Sequence, residues 1–431
     1  MIGRISAAAA ALAAVLATQA AAQTATPQEL ERVRRILRTT PLIDGHNDLP
    51  WAIRDDHGEQ LTSVELMSDT RNETPPLQTD IPRLRQGGVE AQLWSVYVPA
   101  DLAGPQATKA VLEQIDMVHQ IVGRYPQVFE LASTADDIVR IHRAGKIASL
   151  MGSEGGYAID NDLGVLRQLH RAGVRYMTLT HSKTIDWADS ATDAPKHGGL
   201  SPFGEEVVRE MNRLGMMVDL SHVSAETMVD AMRVSEAPVI FSHSSARGVT
   251  GHPRNVPDEV LRALPQDGGI VMVTFVGVFV SEAARRWGSD LAALEARLKY
   301  LNPGDPVLVT REFDAWRTAN PQPQATIKDV ADHIDHIRRV AGIDHVGIGG
   351  DFDGTTSLPV GLTGVEGYPA LLAELMRRGW SEADIKKLAG ENMLRVMRGV
   401  EATAARLQRT RGPSTVTIEQ LQGPKPTPRP G

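Results

Sequence analysis

Eight short runs rich in apolar and β-branched residues recur along the chain with amphipathic stretches between them, and that alternation limits the fold more than any other feature. The runs lie at 41–46 (PLIDGH), 89–97 (VEAQLWSVY), 147–152 (IASLMG), 175–180 (RYMTLT), 216–220 (MMVDL), 238–242 (PVIFS), 269–275 (GIVMVTF) and 345–350 (HVGIGG). The stretches 106–122, 134–144, 162–172, 202–214, 224–235 and 326–341 read as helices, several opening on a capping residue such as Thr134 or Ser224. Strands alternating with helices form parallel βαβ units. Eight of them fit a closed barrel better than an open six-stranded sheet, and 431 residues accommodate such a barrel as one unit. The expected fold is α/β, a TIM-like (β/α)8 barrel spanning 23–400, with an insertion near 281–323 that is helical and then Pro-rich. Residues 401–431 form an extension ending in the polar, Pro-rich GPKPTPRPG.

Ionisable residues gather at the ends of these runs. His46 and Asp48 close the first, in PLIDGHNDLPW. Two residues apart in extended chain, they point to the same side and can share one cation. Glu154 ends the third run, His181 the fourth, His222 the fifth and His243 the sixth, while Asp351 and Asp353 end the eighth. In a parallel barrel all strand C-termini open on one face, where barrel enzymes keep their chemistry. Six of eight strands thus send a His or an acid to a single mouth, more than chance placement explains. Asp219, earlier on the strand of His222, reads as a supporting group, and Asp353 as a turn residue before Gly354. His333 and His336, spaced H-x-x-H beside Asp332 and Asp335, read as a solvated helix face, and His119, His142 and His170 as helical surface residues.

The chain has no cysteine, so a metal here must be held by His, Asp and Glu, a donor set that suits zinc. One open zinc site takes three protein ligands and a water. His46, Asp48, Glu154, His222 and His243 are five, too many for one such site and enough for two, with the two oxygens of Glu154 as the bridge. Two zinc ions about 3.5–4 Å apart share a hydroxide and clamp the oxygens of a reacting carbonyl or phosphoryl group.

Other classes find little support. The net charge of -8 and the lack of a basic block argue against nucleic acid as a partner. GIGGDFDG resembles a dinucleotide loop only loosely, and its two acids would repel a pyrophosphate. Residues 1–22 have the form of a secretory signal, with Arg4, an Ala/Leu/Val run and small residues at Ala20–Ala22 before Gln23. Export with no cysteine suits a bacterial periplasm, and cleavage leaves a chain without a further membrane-spanning run.

Six segments, DGHNDLPW, GSEGG, LTHSKTIDWADS, VDLSHVS, FSHSSARGVTGHPRNVPD and GIGGDFDG, carry a resemblance that runs from about residue 40 to 398. The chain resembles the membrane (renal) dipeptidases of peptidase family M19, zinc dipeptidases among the amidohydrolase-like barrels. The resemblance implies that His46 and Asp48 bind one zinc, that His222 and His243 bind the other, and that Glu154 bridges them. It further implies that His181 binds substrate near the carbonyl, that Arg254 holds the substrate carboxylate and that Asp351 handles the proton. The implied substrate is a dipeptide with a free C-terminal carboxylate, with room for a D-residue at that position. Mammalian members carry cysteines and a lipid anchor, and this chain has neither a cysteine nor a hydrophobic C-terminal run, so a homodimer would be non-covalent. Site charge points the same way: two zincs contribute +4 and Asp48, Glu154 and hydroxide -3, leaving about +1 before Arg254 is counted. Two rival readings are a related barrel hydrolase for other amides, lactones or phosphoesters, which needs no Arg254, and a binding protein, in which lost ligands are expected and none is missing.

Overall fold

The computed structural model describes residues 25–423 apart from Glu59 and Ala103, so the expected signal segment 1–22 and residues 424–431 of the Pro-rich end lie outside the described residues. Among the described residues nine strands form: β1 (Leu42–Asn47), β2 (Val89–Ser95), β3 (Phe129–Leu131), β4 (Ile147–Glu154), β5 (Val174–Thr178), β6 (Met217–Asp219), β7 (Ile240–Phe241), β8 (Ile270–Val273) and β9 (Val346–Ile348). Every strand pairing is parallel, in the order β2-β1-β9-β8-β7-β6-β5-β4, and a β2–β4 ladder closes these eight into the expected barrel. The extra strand, β3, pairs with Ile147–Ser149 ahead of the point where β5 joins β4 at Met151–Glu154. Its three residues are too few to show a period-two pattern, which hid it in the sequence.

Side chains of a strand alternate between faces, and here the two faces serve different cores. Leu42, Trp94, Met151, Met177, Val218, Phe241 and Val271 join the larger apolar core. Their neighbours Ile43, Leu93, Leu150, Tyr176, Met217, Ile240 and Ile270 fall in a second cluster, reached by Met393 and Val396 of the helix Asn392–Leu407. Two residues further along β5 and β6 the apolar filling gives way to Thr178 and Asp219, both fully buried. The barrel lining is thus apolar below and polar just under its mouth.

The helices start where their caps dictate. Thr134 closes a capping box with Asp137, and the Ser224 side chain accepts the Thr227 N–H. In the insertion, Glu282–Leu301 is helical as expected, but the stretch read only as Pro-rich carries a second helix, Pro306–Ala319, capped by Asp305. Pro306 stands in its first turn, where no backbone N–H is required. A second correction concerns the helix Ile327–Ala341, whose His333 and His336 are buried rather than solvated. They fall on the stripe formed by Val330, Ile334 and Ile337, which packs inward, whereas Asp332 is exposed. His119 is exposed as expected, while His142 and His170 are half-buried.

Candidate active site

Bond geometry at the strand ends brings the expected residues together. β1 ends in His46 and Asn47; the Asp48 N–H donates to the Phe352 carbonyl (2.9 Å) and the Asp351 N–H to that of His46 (3.1 Å). Asp48 and Asp351 therefore face one another across the β1–β9 seam, and Gly354 makes room for both. A side chain at Gly354 would collide with Oδ2 of Asp48 and Oδ1 of Asp351. His222 turns into the mouth through a left-handed backbone (φ 69°), which costs a side chain other than glycine about 1–2 kcal/mol. The loop after β5 holds this turn: Ala191 N–H donates to the His222 carbonyl (2.8 Å), and Ser190 Oγ to that of His181 (2.6 Å). Asp189 anchors the loop by accepting backbone N–H groups of Lys196, His197 and Gly199.

Glu154 sits at the centre. Its Oε1 lies 3.0 Å from His222 Nε2 and 3.3 Å from His243 Nε2, and its Oε2 lies 3.5 Å from His46 Nε2. His46 Nε2 is in turn 3.2 Å from Asp48 Oδ2. The two Nε2 atoms of His222 and His243 approach to 2.9 Å. Ligand atoms of His46, Glu154 and His243 lie within 4.8 Å of one another, as do those of Glu154, His181 and His222, and those of His46, Asp48 and Asp351. Although buried, His46 Nε2 and Asp48 Oδ1 have no hydrogen-bond partner among the described residues. Imidazole nitrogens and carboxylate oxygens converging this closely fit a divalent cation, and that donor set fits zinc. Against burial, Tyr176, Asp48 and Glu154 hold the His46 pKa well above its usual range. Burial leaves His181, His222 and His243 with lowered pKa values, hence neutral and able to ligate. Burial also works against the charge of Glu154, yet His46, His222 and His243 hold its carboxyl well below the usual range.

Supporting groups missed in the sequence lie beneath the ligands. Gly152 leaves the space through which the Tyr176 ring crosses the barrel, since a Cβ there would lie inside that ring. The Tyr176 hydroxyl so reaches His46 Nδ1 (2.8 Å). His243 Nδ1 meets Ser242 Oγ (2.8 Å), which donates to Asp219 Oδ2 (2.6 Å), and Thr178 Oγ1 donates to the same oxygen (2.6 Å). Partners of this kind fix ring orientation and leave Nε2 free for a metal. Asp219 thus has the supporting place expected of it. Ser95 Oγ donates to Glu154 Oε2 (3.2 Å). Trp51, Tyr97 and His181 form a rim, with ring centroids 5.1 and 5.0 Å apart in turn.

The other two expected residues complete the mouth. Asp351 is buried, accepts from Thr274 Oγ1 (3.4 Å), and is pushed up to about 7 by burial, with Asp48 and Glu154 adding to the shift and His46 and Arg254 opposing it. Asp353 occupies the following turn (φ 63°), as read, and its carboxylate also accepts the Gln78 N–H (2.6 Å). Arg254 is 2% exposed. It donates to Ser244 Oγ (3.3 Å) and the His243 carbonyl (3.2 Å), and its guanidinium lies 5.3 Å from the Phe279 ring centroid. Its guanidinium hydrogen bonds go to that hydroxyl and that carbonyl rather than to a carboxylate, and among the described residues its buried Nε has no hydrogen-bond partner. Burial lowers its pKa to about 10, which still leaves it charged at neutral pH.

A parallel barrel whose mouth gathers four imidazoles and three carboxylates defines a metal-dependent hydrolase of the barrel class. Within that class the chain belongs to the membrane dipeptidase family, peptidase family M19, whose description matches residues 30–411. It is similar to Dipeptidase 3 of Mus musculus, 40% identical over 380 residues that span 87% of this chain and 67% of that protein. It is also similar to Dipeptidase verJ of Clonostachys rogersoniana, 40% identical over 392 residues, 88% of this chain and 89% of that one. A crystal structure of a metallo peptidase from Rhodobacter sphaeroides, liganded with a phosphinate mimic of the dipeptide L-Ala-D-Ala, matches with a TM-score of 0.69 at 25% identity. That match covers 84% of this chain and 99% of the other.

Proposed function

We propose that this metallo-dipeptidase uses two zinc ions to hydrolyse dipeptides that carry a free C-terminal carboxylate, including those with a D-residue at that end. The observation that carries the zinc count is the division of Glu154, with one oxygen towards His222 and His243 and the other towards His46. The phosphinate ligand of the Rhodobacter sphaeroides enzyme, which mimics a dipeptide ending in D-Ala, supports the substrate class. His46, Asp48, Glu154, His222 and His243 would hold the metals. When bound, paired zinc ions bring a water's pKa towards neutrality and polarise the carbonyl of the scissile bond. Arg254 receives the substrate carboxylate, which fits a guanidinium fork and gives this buried cation a counter-ion. His181, neutral in its buried place, donates from Nε2 to the carbonyl oxygen as negative charge develops there. Asp351 takes a proton from the attacking water and passes it to the leaving amine. Tyr97 and Trp51 screen the mouth from solvent.

The test is a hydrolysis screen of zinc-loaded protein against L,L and L,D dipeptides, their C-terminal amides, N-acyl amino acids and a phosphotriester. Dipeptide acids should be the preferred substrates, and equal cleavage of acid and amide would remove carboxylate recognition. Arg254→Ala should lower kcat/KM for a dipeptide acid about 30-fold or more, since losing the partner of a buried charge costs about 2–5 kcal/mol. The amide, already poor, should change little. A variant that loses both alike refutes the role of Arg254.

We also propose export to the periplasm with cleavage after Ala22, on the strength of the Ala-rich segment and its small residues. N-terminal sequencing of exported protein should begin at Gln23, and an intact Met1 in a membrane fraction would contradict it.

A further inference from the structure

Arg254 stands on a loop that a single buried imidazole ties down from outside the barrel. His333, 0% exposed, accepts the Ala246 N–H at Nδ1 (2.9 Å). Its Nε2–H donates to the Val280 carbonyl (3.1 Å) and also faces Thr250 Oγ1 (3.3 Å). Ala246 and Thr250 belong to the segment that carries Arg254. Val280 follows Phe279, whose ring lies under the Arg254 guanidinium and whose carbonyl accepts from Asn255 Nδ2 (2.8 Å). Asn255 Nδ2 donates to the Thr250 carbonyl as well (2.9 Å). The His252 ring, which accepts the Arg254 N–H, packs 4.3 Å from Phe279. His333 therefore bonds to both walls of the Arg254 cradle, the loop on one side and the Phe279–Val280 turn on the other. One helical turn on, His336 donates from Nε2 to Asp258 Oδ1 (2.8 Å) at the far end of the same segment, and its Nδ1 accepts from Arg339 (2.7 Å).

We infer that His333 is the positioning residue that sets Arg254 at the height where it meets a substrate carboxylate, so that affinity for the free acid is governed from a helix that touches neither metal ligand nor substrate. The inference rests on the reading of Arg254 given above. The two bonds fix the ring as one tautomer, Nδ1 accepting and Nε2–H donating, because a backbone N–H and a carbonyl face the two nitrogens. Burial holds the pKa of His333 down at about 4, so this neutral form persists across the range in which a peptidase works. No residue of similar volume meets both demands: phenylalanine fills the space without either bond, glutamine reaches Val280 with its amide, and asparagine reaches Ala246 with its carbonyl.

The experiment compares zinc-loaded wild type, His333→Phe, His333→Gln, His333→Asn, Arg254→Ala and the double variant on a dipeptide and its C-terminal amide. In His333→Phe the dipeptide KM should rise about 10-fold, as expected for buried polar groups left without a partner. kcat should stay within a few-fold, zinc content should match the wild type, and the amide KM should not move. The glutamine and asparagine variants should fall between the two, which keeps the test decisive if the phenylalanine variant does not fold. Added to Arg254→Ala, the His333 substitution should raise KM no further. Equal losses for acid and amide, lost zinc, or a fall in kcat at unchanged KM would each make His333 merely structural and overturn the inference. If Arg254→Ala raises the dipeptide KM and none of the His333 variants does, only this inference falls. An unmoved KM in Arg254→Ala itself overturns both readings.

Discussion

Glu154→Ala should lose most of the metal from both positions at once, whereas wild-type protein purified without chelator should hold about two equivalents of zinc. The expectation follows from the placement of one carboxylate between two sets of imidazoles, 3.0 and 3.3 Å from His222 and His243 and 3.5 Å from His46. If two ions are bound, removing it would take one ligand from each and leave imidazoles with no shared anion to offset two divalent charges. Losses confined to supporting groups usually weaken metal binding about 10–100-fold, and a shared ligand should matter more. His222→Ala is the informative contrast, because it should release one equivalent and retain the other. Metal analysis of the three proteins decides the matter without any assay of turnover. One equivalent in the wild type, unchanged in His222→Ala, would end the binuclear reading.

What the sequence exposed and what it hid follow from where each signal is stored. His46, Glu154, His222 and His243 were visible because each terminates a run of apolar residues, and parallel closure sends every such terminus to one face. Tyr176 was not, because within RYMTLT it looks like one more strand residue. Its function depends on Gly152 of the neighbouring strand, whose missing side chain lets the ring cross the barrel. Ser242 likewise gains its importance only when β6 and β7 lie side by side and bring Asp219 under it. His333 and His336 were misread because Asp332 and Asp335 beside them suggest a wet face. The spacing of 330, 333, 334 and 337 held the contrary signal, an inward stripe with histidine in it. The second insertion helix is obscured by prolines that sit before it, in its first turn or beyond its end (Pro303, Pro306, Pro321 and Pro323), where they are compatible with helix.

Asp351→Asn should retain both zinc equivalents and lose about 10²–10⁴-fold in kcat, the usual range for a positioned acid–base group. Asparagine preserves the shape of the side chain and can still accept from Thr274 Oγ1, but it cannot carry a proton. The site is arranged to make that proton mobile. Burial above all raises the carboxyl, His46 and Arg254 oppose it, Asp48 and Glu154 add to it, and the net value is about 7. Its backbone is also held in the left-handed region (φ 63°), and its N–H is bonded to the carbonyl of His46. The carboxylate is thus fixed to the first ligand strand rather than left to a flexible loop. Because His46, Asp48 and Asp351 also form a group able to hold a cation, metal content must be measured beside kcat. Loss of one zinc in Asp351→Asn would make the residue a ligand, and near-normal kcat would make it a turn residue. Retained zinc with slow turnover leaves proton transfer as its role.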